Sequence, residues 1–139
     1  MTDFDLEKTY LFIDAQGGLV AEEVGPAFWA DIGSNLLAGG TMISASEGGG
    51  DWPHWEMHPE GAEVLVILEG APHFWLDHPD GRLERMASQP GTTIVVPPGA
   101  WHRAEADAAY KILFITYGPG TAHRPITDQD RARAAAALA

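Results

Sequence analysis

Residues 50–70 read GDWPHWEMHPEGAEVLVILEG and set His54, Glu56 and His58 at alternate positions, with Glu63 a few residues further on. Imidazole and carboxylate groups bind divalent metals through nitrogen and oxygen, and they also carry protons in catalysis. In an extended strand, alternate residues project to one face, and a rise of about 3.3 Å per residue sets Glu56 and His58 about 6–7 Å apart along the backbone. Side chains that lean together across that gap can share one ion. Two donors from one strand do not make a site, because centres of this kind usually take at least three protein ligands. Two more donors of the right type follow: Glu63, which opens the apolar run AEVLVILE, and His102, just after the stiff turn VPPGAW. The chain has no cysteine, which excludes disulfides, thiolate ligands and a cysteine nucleophile.

Positioning such groups requires strands, and the sequence offers many. Period-2 runs bounded by Gly and Pro occur at 37–46, 62–69, 73–77, 82–87, 92–96 and 110–117. Short strands at this density predict an all-β sandwich or barrel. In HPDG (78–81) the Asp80-Gly81 pair suits a hairpin turn that needs positive φ, so the runs on either side should be antiparallel neighbours. Helical signals are few. GPAFWADIGSNLL (25–37) could hold a short N-terminal helix starting near Pro26, whose missing N–H costs nothing in a first turn. In TDQDRARAAAALA (127–139), Thr127 and Asp130 make a capping-box-like start before strong helix formers, predicting a C-terminal helix that lies on the surface or at an oligomer contact. There is no repeat or linker, so residues 1–139 are expected to form one domain.

Hydrophobic residues make up 45% of the chain and charges are scattered, as in an ordinary globular protein. A net charge of −12 opposes approach to phosphate backbones and anionic lipids, so neither nucleic acid nor membrane is an expected partner. The start lacks a basic stretch followed by a long apolar run, and nothing downstream approaches the roughly 18 apolar residues of a span. Cytoplasmic residence is the expectation.

The spacing of the candidate donors resembles a known family. Gly50, five residues, Glu56, one residue, His58, four residues, Glu63, six residues, Gly70 is similar to the first motif of the cupin superfamily, with Glu56 standing where the family has its first histidine. Gly91, five residues, Pro97, one residue, Gly99, two residues, His102 is similar to the second motif, with Ala106 in place of its terminal Asn. The resemblance covers residues 50–106 directly, as motif 1 (50–70) and motif 2 (91–106). It implies a small single-domain cupin of the cupin 2 type: a double-stranded β-helix, or jelly-roll barrel, that brings His102 beside the first motif. By the same resemblance His58, Glu63, His102 and Glu56 contact a divalent ion (Fe, Mn, Zn or Ni), a small molecule is bound in the barrel, and the protein is a homodimer. Glu56 is either an oxygen ligand or a general base beside a two-histidine, one-carboxylate triad.

The remaining candidates carry weaker signals. His54, His73 and His78 read as surface or hydrogen-bonded histidines, although His54 could face the barrel mouth. Trp29 and Trp52 are candidate pocket residues, His123 belongs to a pocket rim or a plain loop, and Trp55 points away from Glu56 to the other face or a dimer contact. Arg103, opposite His102 in strand parity, and Arg124 read as surface ion-pairing residues. The expected function is a metal-dependent enzyme acting on a small molecule. Its reaction would be Lewis-acid and general-base chemistry (isomerase or lyase) or dioxygenase chemistry; a non-catalytic, metal-free small-molecule-binding cupin is the alternative.

Overall fold

Alternation of apolar and polar side chains places one face of each strand inward, and the strands pair accordingly. The fold comes from a computed structural model that describes residues 3–26, 28 and 40–139. Its strands are β1 (Thr9–Asp14), β2 (Leu19–Glu23), β3 (Gly40–Gly49), β4 (His54–Met57), β5 (Glu63–Glu69), β6 (His73–Asp77), β7 (Leu83–Met86), β8 (Thr93–Val96), β9 (Trp101–Glu105), β10 (Ala109–Tyr117) and β11 (Ala122–Pro125). A six-stranded sheet runs β2-β1-β3-β10-β5-β8, and a five-stranded sheet runs β11-β4-β9-β6-β7, with all pairs antiparallel. From β4 onward the chain passes repeatedly between the sheets, which is jelly-roll connectivity.

Each run read as a strand from its alternation is one, and Asp80-Gly81 does join β6 to β7. The run at 37–46 becomes β3, and its first three residues lie outside the described ones. β1, β2 and β11 were not anticipated. β1 carries the alternating buried Tyr10 and Phe12, whereas β2 is an edge strand with mostly exposed side chains and little pattern to read. The helix expected over 25–37 falls where only Gly25, Pro26 and Phe28 are described.

Between the sheets, Leu65, Ile67, Phe74, Leu76, Ile94, Val96, Ala100, Ala104, Tyr110 and Ile112 form the main core. Burial of a Leu or Phe side chain is worth about 1.5–3 kcal/mol, so this cluster is a principal source of stability. Gly70 ends β5 at φ +82°, where a Cβ would also lie 2.5 Å from the Ala109 carbonyl oxygen. No other residue fits that turn without displacing β10.

The outer face of the five-stranded sheet is covered as well. Helix α1 (Asp128–Leu138) starts with a capping box in which Thr127 Oγ1 accepts from the Asp130 N–H and Asp130 Oδ2 accepts from the Thr127 N–H. Ala134 packs in one cluster with Trp55 and Trp75, the Trp55 indole donates to Asp130 Oδ2 at 3.1 Å, and Arg133 pairs with Asp77 at 3.0 Å. Trp55 is therefore buried under the chain's own helix, which occupies the face where a dimer contact was one expectation.

Beneath this helix, arginines and tryptophans alternate across the sheet. Strand register sets Arg124 opposite Trp55, Trp75 opposite Arg103 and Trp75 opposite Arg85. The guanidinium of Arg124 lies 5.1 Å from the Trp55 ring and 4.6 Å from Trp101, that of Arg103 lies 4.9 Å from Trp55 and 5.8 Å from Trp75, and that of Arg85 lies 5.6 Å from Trp75. Arg103, expected at the surface, is buried, and Glu105 at 2.9 Å neutralises it. Planar guanidinium groups stack on indole faces while keeping their edge N–H groups for hydrogen bonds, which suits Arg and not Lys to this layer.

Candidate metal centre

The first motif folds as β4, a short loop and β5, so its donors come from both sheets. Glu56 on β4 stands opposite His102 on β9, and Glu63 opens β5 opposite Thr116 of β10. His58 lies just past β4, and its carbonyl accepts a 3.0 Å hydrogen bond from the N–H of Gly99. Gly99 adopts φ +82°, so the glycine of the second motif makes the turn that ties the two motifs together just before His102.

The four side chains converge. His58 Nε2 lies 2.9 Å from Glu56 Oε1 and 3.2 Å from Glu63 Oε2, and His102 Nε2 lies 2.9 Å from Glu63 Oε1 and 3.9 Å from Glu56 Oε1. One donor atom from each residue falls within 4.8 Å of all the others. His58, Glu63 and His102 are buried, whereas the Glu56 side chain retains 28% of its exposure and marks the solvent side.

These contacts are short but badly aimed. His58 Nε2, His102 Nε2 and Glu63 Oε1 are buried without a well-formed hydrogen bond, although each has a neighbour near 3 Å. Groups arranged to bond one another would align; these are gathered without aligning, as donors able to share one ion are. Two imidazole nitrogens and two carboxylate oxygens there fit a divalent ion of the Mn, Fe, Ni or Zn type. The charge balance agrees. Burial opposes a proton on His58, yet Glu56 and Glu63 outweigh it and raise the imidazole to about 9. Burial likewise opposes charge on Glu63, but His102 and His58 bring its carboxyl down to about 2, and Glu56 is also lowered against its burial, chiefly by His58. Glu56 and Glu63 thus favour their carboxylate forms beside a protonated His58, and a bound cation would displace the His58 proton.

The family profile described as "Cupin domain" matches residues 42–116, more than half of the chain. The chain belongs to the cupin family. Among solved structures, a cupin-2 domain protein from Shewanella frigidimarina is 24% identical, with 55% of this chain and 69% of that one covered at a TM-score of 0.44. A hydroquinone 1,2-dioxygenase solved with Cd2+ and 4-hydroxybenzonitrile is 16% identical, with 55% and 56% covered at a TM-score of 0.50. Vicilin from Corylus avellana (hazelnut) is 17% identical, with 70% of this chain and 32% of vicilin covered at a TM-score of 0.52. This cupin therefore spans little more than half of the dioxygenase chain and about a third of vicilin, and at such identities the likeness is one of fold. A search of curated proteins finds no match.

Around the cluster of this cupin, Trp52 lies with its ring 5.9 Å from that of His102 and 6.3 Å from that of Phe114, and its indole donates to the Tyr110 hydroxyl at 2.9 Å. Trp52 and the inward-facing Phe114 are only partly buried, so an aromatic wall beside His102 reaches solvent. His123 sits on β11 opposite Glu56, its Nε2 3.0 Å from Glu56 Oε2 and its side chain 58% exposed, so it lies on a strand and not in a plain loop. His54 is exposed at the start of β4 opposite Pro125, and Trp29 lies outside the described residues.

Sequence reading missed two hydroxyls. Thr116 Oγ1 donates to Glu63 Oε2, and Thr121 Oγ1 lies 2.8 Å from His58 Nδ1. Thr116 had a signal, a polar residue in an inward position of YKILFITY; Thr121, in an irregular Gly-rich loop, had none. No described helix is long and apolar enough to cross a membrane.

Proposed function

We propose that this cupin is a metal-dependent enzyme acting on a small molecule held in the barrel mouth, with Glu56, His58, Glu63 and His102 as the ligand set. The observation that carries the reading is the convergence of four donor atoms within 4.8 Å, three of them on buried side chains, with ring nitrogens and a carboxylate oxygen that satisfy no neighbour. A divalent ion held there would supply a Lewis acid that polarises a substrate carbonyl or hydroxyl.

Glu56 is the member suited to move a proton. Its Oε1 faces the cluster, while its Oε2 is held by His123, whose exposed ring can exchange protons with water. A proton taken from substrate at Glu56 thus has a path out through His123, an arrangement suited to isomerisation or lyase chemistry α to a carbonyl. Trp52 and Phe114 offer an apolar wall against which the substrate body can lie. A second reading, oxygenase chemistry, draws on His58, Glu63 and His102, which form the two-histidine, one-carboxylate set that suits non-haem Fe(II) when Glu56 stands free. A dioxygenase shares the fold.

Glu56→Gln separates these roles. It retains the shape of the side chain and its contact with His123 but cannot accept a proton, so turnover on an identified substrate should fall by about 100-fold or more even in protein loaded with as much metal as wild type. Full activity of this variant would remove Glu56 as the base.

A further inference from the structure

Three of the four donor residues are hydrogen-bonded from the stretch 116–123, Glu56 and His58 through the atom that faces away from the cluster. Thr116 Oγ1 donates to Glu63 Oε2, His123 Nε2 holds Glu56 Oε2, and Thr121 Oγ1 meets His58 Nδ1. The family match ends at residue 116, so two of these bonds come from chain beyond it. β11, which lies there, pairs with β4 and so carries His123 over the donors.

The bond at His58 has a determined direction. The Thr121 hydroxyl has one proton, and it donates that proton to the Gly118 carbonyl at 2.8 Å. Toward His58 the same oxygen can only accept, so the ring proton must sit on Nδ1. In the neutral imidazole Nε2 then carries the free lone pair, and Nε2 is the atom 2.9 and 3.2 Å from the Glu56 and Glu63 carboxylates. His102 differs: its Nδ1 is buried without a hydrogen-bond partner.

We infer that Thr121 is a positioning residue that fixes His58 in the Nδ1–H tautomer and so makes Nε2 a metal ligand, with the 116–123 stretch serving as the ligand-orienting element of this cupin. The inference rests on the metal-binding reading above. Loss of an outer hydrogen bond of this kind typically costs 10- to 100-fold in metal affinity.

The test is calorimetric titration of the chelator-stripped protein with Zn2+, for wild type, Thr121→Val and Thr121→Ser, with melting temperatures of the stripped proteins as the control for folding. Thr121→Val should bind Zn2+ about 10- to 100-fold more weakly at an unchanged melting temperature, and Thr121→Ser, which keeps the hydroxyl, should return most of the affinity. Equal affinity in Thr121→Val and wild type overturns the role of Thr121 and leaves the metal site standing. Failure of wild type to bind Zn2+ overturns both. Should Thr121→Val not fold, 15N shifts of the His58 ring in Zn2+-loaded wild type decide the matter: a metallated Nε2 with a protonated Nδ1 supports the inference, and a metallated Nδ1 ends it.

Discussion

Stripping divalent ions with a strong chelator should lower the melting temperature of the wild-type protein by about 8–16 °C and leave His102→Ala nearly unaffected. An ion present at about 1,000 times its Kd contributes about 4 kcal/mol to the folded state, and each kcal/mol moves the midpoint of a chain of this size by about 2–4 °C. The protein should nevertheless stay folded without the ion. His58, raised to about 9 by Glu56 and Glu63, then holds a proton between them, which partly replaces the missing cation. His102→Ala removes a buried donor whose Nε2 has no aligned partner in the metal-free cluster. The variant therefore loses the ion's contribution more than any internal bond. Differential scanning calorimetry with and without chelator reads this directly, and identical midpoints for ion-replete and stripped wild type would contradict it.

Arg103 should be the other sensitive position, for a reason unconnected with metal. Its guanidinium lies near the rings of both Trp55 and Trp75, carries an ion pair to Glu105 and is buried. Arg103→Ala opens a void beside two large rings and leaves Glu105 without its cation, which should destabilise the fold by about 2–4 kcal/mol. Arg103→Lys keeps the charge but loses the planar stack, and should cost about 1–2 kcal/mol. Urea unfolding of the two variants checks the order. A lysine variant as stable as wild type would mean that charge alone matters, and an alanine variant within about 0.5 kcal/mol of wild type would remove the layer from the stability of the fold.

The contrast between these two regions shows what the sequence could convey. Glu56, His58, Glu63 and His102 were legible through the resemblance of their spacing to the two cupin motifs, whose glycines fall at turns here: Gly70 at the end of β5 and Gly99 before β9. The alternation within 62–69 and 110–117 likewise told which face of each strand is inward. Parity correctly set Arg103 opposite His102 and Trp55 opposite Glu56, but it could not tell what covers the outer face. That depends on where α1 docks, and α1 buries only Ala134, so its own pattern offers little sign of a packing face. Thr121 was invisible for a different reason. Its role arises from a loop that aims one hydroxyl at Gly118 and His58 together, a property of three-dimensional geometry that no spacing encodes.

Metal content tests the central claim most directly. Mass spectrometry of untagged wild type and of His58→Ala/His102→Ala should find a near-stoichiometric divalent ion in the first and none in the second, and the element found would choose between Lewis-acid chemistry and Fe(II) oxygen chemistry. Wild type that holds no ion, even after reconstitution with Mn2+, Fe2+, Ni2+ and Zn2+, would contradict the account and leave a metal-free binding protein on the same fold.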